Sequence, residues 1–405
     1  GADTVIDARG CLLMPGFVQA HVHLCQTLFR GLADDMDVID WLRERVWPLE
    51  QAHDADSLHA SAALGVAELL LSGTTSVLSM ETTRHTDSSF EAARELGIRA
   101  IIGPALMDRW EPGTEMVGQT TDEAMAEVRR LVDRWHGTEG GRLRVSVSPR
   151  GPRNATPSLW RECVALAEAA DLRIHTHVNE NRKQAARLSR GADGRDVYAL
   201  DSYGALSHRL VMAHCVWLDG GEKMLVRARG AHVCHCPSAN MKLASGLAPV
   251  PEYLGAGINV ALGSDGAACN NNLDAFEELR LAALIHRPRY GPSAVPAARA
   301  LEMATRGGAK ALGIDREVGS LELGKRADVV VLRRDGVHAA PISGAPLESQ
   351  IVFAHTSADV KNVVVDGRVV VDEGQLVSGD AGAIRRDAEN HRRSIMERAG
   401  LVIGV

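Results

Sequence analysis

The sequence predicts an α/β protein: a (β/α)8 TIM barrel, with a small β-sandwich-like module built from the two chain ends. Three observations lead there. Eight short β-branched or apolar runs alternate with longer helical patterns between Phe17 and Gly263. Histidines and an aspartate fall at the C-terminal ends of several of those runs. Near Gly319 the alternation stops, and short strands separated by turn residues take over.

The eight runs are Phe17–Val22, Thr74–Leu78, Arg99–Gly103, Arg142–Ser148, Arg173–His177, Arg209–Ala213, His232–Cys236 and Asn259–Gly263. Between them, Ala55–Leu71 repeats apolar residues at spacings of three and four, and Asp122–His136 and Pro157–Ala170 follow the same rule of an amphipathic helix. The opening DTVIDARGCLLMPG, ADVVVLRR and KNVVVDGRVVVDEGQ read as short strands, so residues 1–15 and 319–380 are expected to meet in the small module. Residues 16–318 form the barrel, and 381–405 follow as a C-terminal helix, with a polar amphipathic pattern over Asp380–Ala399.

Composition narrows the function. The 405 residues carry a net charge of −7 with both signs interspersed. No basic stripe suggests nucleic acid, no polybasic amphipathic stretch suggests a membrane surface, and no apolar run reaches transmembrane length. The seven cysteines contain no CxxC pair, and the N-terminus lacks the layout of a signal peptide, so a reduced, cytoplasmic protein is expected. The partner to look for is a small molecule; a homo-oligomer remains open.

The chemistry lies at the strand ends. His21 and His23 are two apart on one strand and therefore share a face. His177 ends the fifth run, His214 follows the sixth, and Asp265 follows the eighth in GSDGAA. In a barrel these ends converge on one mouth. Imidazoles with a carboxylate suit one borderline divalent ion such as Zn2+, with Fe2+ or Mn2+ as alternatives. Cys234-His235-Cys236 imitates a metal clip, but strand alternation puts His235 on the face opposite the thiols.

This set resembles the mononuclear aminohydrolase branch of the amidohydrolase superfamily, over a stretch running from PGFVQAHVH to ELGKRADVVVL. The resemblance implies that His21, His23, His177 and Asp265 hold the metal, and that His214 lies beside the activated water. HVNENRKQ resembles the family's HxxE stretch, which makes Glu180 the proton carrier and leaves His175 one layer deeper as a structural residue. Such a site acidifies a water that attacks a ring carbon bearing an amine. Glu180 protonates the adjacent ring nitrogen, and Asp265 passes a proton to the departing ammonia. Keeping both acids argues for deamination. Family members carry several more N-terminal strands before the HxH, whereas twenty residues precede His21 in this sequence.

Two substrate patterns compete. HVHLCQ, HTDSS, MDR and Ser148-Pro149-Arg150 resemble guanine deaminase, in which the counterparts of Gln26 and Arg150 hold the lactam face of the base. WPLE, HCPSANMKLASGLAPVP and GSDGAACNNNLDAFEELRLAAL resemble the methylthioadenosine and S-adenosylhomocysteine deaminases, in which the counterpart of Glu50 binds a ribose. Arg150, where the adenosine branch has histidine, favours an oxopurine or pterin. Gly151, where the guanine branch has phenylalanine, implies a wider pocket. A triazine hydrolase, similar over LRLAALIHRP and MATRGGAKALG, and a non-catalytic scaffold are the remaining alternatives. Trp110 is a candidate lid residue.

Overall fold

The computed structural model describes residues 4–110, 117–182 and 195–401. The strands, in chain order, are β1 (Leu12–Pro15), β2 (Phe17–His23), β3 (Thr74–Glu81), β4 (Arg99–Leu106), β5 (Leu143–Pro149), β6 (Arg173–Val178), β7 (Leu210–His214), β8 (His232–His235), β9 (Val260–Leu262), β10 (Asp265–Gly266), β11 (Val329–Leu332), β12 (Val360–Val365), β13 (Arg368–Asp372) and β14 (Gln375–Leu376). Strands β2 to β9 pair in parallel and in sequence, and the ring closes where Gln19 meets Leu262 and Asp265 meets Val22. The eighth barrel strand is thus split in two at Gly263-Ser264, with β10 as its outer piece.

All eight expected strands are present. β3 and β4 run three residues further than expected, to Glu81 and Leu106. In sequence, Pro104 reads as a breaker. In the sheet the ladder to β5 steps over it, from Ile102↔Val145 to Ala105↔Ser148. Helix Ala55–Leu71 has the expected bounds, its first turn closed by an Asp54–Ser57 capping box.

The barrel interior is closed from below. Helix Gly308–Leu312 packs on β2, β7, β8 and β9. A Cβ at Gly307 would lie 2.6 Å from the Val260 carbonyl, and one at Gly308 would lie 2.4 Å from that of Val18, so the MATRGGAKALG glycines permit this approach. Leu78, Ile101, Val211, Cys234 and Ala261 share one buried cluster with Ala309 and Leu312. His235 faces outward as expected and packs against His286, ring centroids 5.4 Å apart.

The chain ends build one five-stranded antiparallel sheet, in the order β1-β11-β12-β13-β14. The second layer that makes the module sandwich-like is helical: Val330 and Val370 rest on the glycines that end two barrel helices, Gly73 and Gly97. Helix Ala381–Arg398 lies along Ala55–Leu71, and its Arg392 donates to the carbonyls of Leu28 (3.3 Å) and Arg30 (2.7 Å), behind the loop that carries Gln26. No helix among the described residues is long and apolar enough to cross a membrane.

One buried ion pair joins sheet and barrel. Arg99 of β4 donates to Asp328 through Nε (3.0 Å) and Nη2 (2.9 Å), and the Asp366 amide donates to the same carboxylate (2.8 Å). Arg99→Ala would leave Asp328 charged and unpaired in a dry interface. We expect a loss of about 3–5 kcal/mol in urea unfolding. Removing the exposed Arg299–Glu302 pair should cost at most about 0.5 kcal/mol.

Candidate active site and metal centre

Four strands deliver the reactive groups at the barrel mouth. His21 and His23 leave β2 toward the mouth, His177 leaves β6, His214 ends β7, and Asp265 begins β10. His21 Nε2 and His23 Nε2 lie 3.2 and 3.3 Å from Asp265 Oδ1, and His177 Nε2 lies 3.3 Å from His23 Nε2. His214 Nε2 stands 3.8 Å from Asp265 Oδ2.

The outer nitrogens explain this convergence. His23 Nδ1 donates to the Met80 carbonyl (2.7 Å), and His177 Nδ1 donates to the Arg150 carbonyl (2.6 Å). Carbonyls only accept, so both protons sit on Nδ1 and the neutral rings turn bare Nε2 lone pairs toward each other. Two lone pairs 3.3 Å apart repel unless a cation lies between them. Donors about 2.0–2.1 Å from a tetrahedral zinc stand roughly 3.3 Å apart, and the three edges at 3.2, 3.3 and 3.3 Å match that. His21 Nε2 is buried with no hydrogen-bond partner, while its Nδ1 is 2.7 Å from His175 Nε2. Among the described residues, His21, His23 and His177 bring ligand atoms within 4.8 Å of one another, as do His21, His214 and Asp265, so the cluster fits a metal ion; His175 meets His21 from the layer below.

For His21 and His177 the electrostatics agree. Burial and the surrounding imidazoles depress His21 to about 4 and hold His177 well below the usual histidine range, so both present neutral nitrogen. Burial opposes ionisation of Asp265, but His21 and His23 overcome it and hold the carboxyl well below the usual range. His23 is pushed up because Asp265 outweighs its burial. Burial raises Glu180, which stands on the cavity wall three residues beyond His177 and accepts from Ser245 Oγ at 3.3 Å.

Two of these residues hold left-handed backbone: His214 at φ 70° and Asp265 at φ 62°. Such conformations cost roughly 1–3 kcal/mol each and persist where surrounding bonds fix them. The Cys215 amide donates to the Val178 carbonyl (3.0 Å), and the Gly266 amide donates to Asp265 Oδ1 (2.9 Å).

The expected substrate residues form a clasp. Glu50, on helix Trp47–Gln51, accepts from Gln26 Nε2 (2.9 Å), Arg150 Nη1 (2.7 Å) and Arg150 Nη2 (3.3 Å). Arg150 and Gln26 border the cavity, whereas Glu50 stands behind them and does not line it. Gln26 Oε1 is buried without a partner, and a Cβ at Gly266 would come within 2.1 Å of it. Trp47 lies under the Arg150 guanidinium, 5.9 Å from the ring centroid. The cavity measures about 400 Å³, with an apolar wall of Val38, Ile39, Trp41 and Leu42. Trp110 and Gly151 border it too. Lys183 and Gln184, the end of HVNENRKQ, lie outside the described residues.

Sequence reasoning gave no role to Met80, Asn240, Ser245 or Asp196. Asn240 Oδ1 is 2.9 Å from His214 Nδ1, and its only signal was its place in HCPSANMKLASG. Asp196 borders the cavity, and burial raises it to about 6.

Glu278 ties the turn after Asp265 to helix Pro237–Lys242, accepting from Asn270 Nδ2 (2.9 Å) and the Ser238 amide (3.3 Å). Burial raises its carboxyl to about 7 from an ordinary 4.5. The folded state therefore binds more protons than the unfolded state across that window. This stabilisation is full below pH 4.5 and is lost as pH rises through about 7. Glu278→Gln should remove a slope on the order of 3 kcal/mol between those limits, read as Tm against pH relative to the parent protein.

The chain is similar to known proteins over most of its length. A profile described as "Amidohydrolase family" matches residues 12–370. The chain is 42% identical over 376 residues to the 5'-deoxyadenosine deaminase of Methanothermobacter thermautotrophicus, covering 93% of this chain and 85% of that protein. It is 36% identical over 397 residues to the 5-methylthioadenosine/S-adenosylhomocysteine deaminase of Desulforudis audaxviator, covering 98% and 90%. Among solved structures, an adenosine deaminase from Xanthomonas campestris with bound zinc superposes with a TM-score of 0.89 at 31% identity, covering 96% and 87% of the two chains. The atrazine chlorohydrolase of Arthrobacter aurescens complexed with zinc gives 0.89 at 28% identity, covering 97% and 92%. Escherichia coli guanine deaminase gives 0.79 at 28%, covering 90% and 85%.

Proposed function

The chain belongs to the amidohydrolase family and is a metal-dependent hydrolytic deaminase; from that premise we propose that its substrate is a 6-aminopurine nucleoside with a small or apolar 5′ substituent. The Gln26–Glu50–Arg150 clasp carries this choice. The lactam edge of guanine needs a donor and an acceptor side by side. The Gln26 amide, expected to supply both, gives one of its two N–H groups to Glu50 and has its oxygen enclosed at Gly266. Arg150 keeps N–H groups beyond those given to Glu50, and ring nitrogens of an adenine are acceptors. The apolar wall at Val38, Ile39, Trp41 and Leu42 gives a non-polar 5′ group a place to bury. The relatives at 42% and 36% identity are named for adenosine-type substrates, which supports the same reading.

We assign His21, His23, His177 and Asp265 as the ligands of one zinc ion. When bound, the ion supplies Lewis acidity that acidifies water. His214 Nε2 orients the attacking oxygen. Glu180, raised by burial and so able to hold a proton nearer neutrality, delivers one to the ring nitrogen beside the reacting carbon. Asp265 takes the remaining hydroxyl proton and returns it to the amine. The C–O bond forms, the C–N bond breaks, and water plus the amino-purine become an oxo-purine and ammonia.

An oxopurine substrate remains the second reading, because Arg150 beside Gly151 offers a cationic donor next to open space. Ammonia release from zinc-loaded protein separates the two. Expected is kcat/KM for 5′-deoxyadenosine or methylthioadenosine at least tenfold above that for guanine, about 1.4 kcal/mol of barrier. The reverse order would return the assignment to oxopurines. Glu180→Gln should keep its metal and lose more than about 99% of kcat, the low end of a general acid–base contribution; metal content and turnover are measured on the same sample.

A further inference from the structure

Two polar residues of the segment after β8 touch the proton-handling groups without lining the metal. Asn240 is fully buried on helix Pro237–Lys242, and Ser245 follows it behind Ala244, whose backbone is left-handed at φ 50°. Asn240 Oδ1 accepts from His214 Nδ1 at 2.9 Å. Ser245 Oγ donates to Glu180 Oε1 at 3.3 Å. The two are coupled, because the Ser245 amide donates to the Asn240 carbonyl at 2.9 Å. The Ser245 carbonyl in turn accepts from Trp217 Nε1 at 2.7 Å.

Asn240 Nδ2 is buried with no partner. An unpaired buried donor destabilises a fold, and an apolar side chain of similar volume would avoid it. What the amide provides is an acceptor for His214. With the proton fixed on Nδ1, Nε2 faces Asp265 and the cavity as an acceptor. Ser245 fixes one oxygen of Glu180 and leaves the other to work.

We propose that Asn240 and Ser245 are a coupled positioning pair: Asn240 sets the tautomer and ring plane of His214, and Ser245 aims Glu180, so that one short segment registers the group orienting water against the group delivering the proton. Neither residue lines the cavity. The inference rests on the deaminase reading of this site.

The test uses zinc-loaded protein labelled with 15N-histidine. The His214 signals are identified by their loss in His214→Ala. The parent protein shows His214 protonated at Nδ1 and bare at Nε2, and Asn240→Leu loses that single form. In turnover, Asn240→Leu lowers kcat by about tenfold to hundredfold, the usual effect of such supporting partners, with KM and zinc content near those of the parent. Asn240→Asp keeps the acceptor and recovers part of the loss. Ser245→Ala lowers kcat with the His214 signals unchanged. Asn240→Ser, polar but too short to reach His214, serves if the leucine variant does not fold. An unchanged His214 tautomer in Asn240→Leu overturns the proposal, as does Asn240→Asp falling below Asn240→Leu, the order expected when the role is packing alone. If the parent protein releases no ammonia, the deaminase reading fails, while the 15N spectra still decide the tautomer claim.

Discussion

The site depends on where the outer nitrogens of its histidines are bound. A ring with Nδ1 tied to a carbonyl has one proton placed and one lone pair aimed. Met80 and Arg150 supply those carbonyls from strand ends, His175 supports His21 from below, and Asn240 holds His214 from the side. Without these partners each imidazole could rotate or take the other tautomer, and the centre would lose its match to a single ion. The metal site is therefore a property of the backbone at the ends of β3 and β5 as much as of the histidines.

The clasp around Glu50 follows the same logic at the substrate wall. A carboxylate and a guanidinium, both nearly inaccessible, are expensive to bury singly and tolerable as a bidentate pair. Once paired, they fix the plane of Arg150 and immobilise Gln26. Rigid donors discriminate between substrates by leaving a mismatched ligand's polar groups unpaired, which costs more than a missing contact. The left-handed backbone at His214 and Asp265 has a similar origin. A strained turn at a strand end bends the side chain into the mouth, and the closed barrel supplies the frame that tolerates it.

Much of this was legible in the sequence. The alternation of short apolar runs with helical periods marked the eight strands, because burial on both faces forces that composition. Residues spaced two apart, or placed just after a run, marked His21, His23, His177, His214 and Asp265, because strand geometry and barrel topology bring such positions together. The end of β4 was less legible, since Pro104 argues for a stop that the ladder to β5 steps across. The strand pattern of the chain ends predicts a sandwich-like module, and its second layer is helical, because strand patterns do not reveal what covers them.

The sequence by itself determined the barrel and the convergence of His21, His23, His177, His214 and Asp265 on one mouth, since these follow from local periodicity and one topological rule, while the part given to Glu180 came from the family resemblance. Only the tertiary structure decided how Gln26, Glu50 and Arg150 use their hydrogen bonds, and that Asn240 and Ser245 stand behind His214 and Glu180. Those pairings join residues 24 to 100 positions apart. A side chain's donor and acceptor types are written in its name, but which of them remain for a substrate depends on neighbours that only folding brings within 3 Å or so.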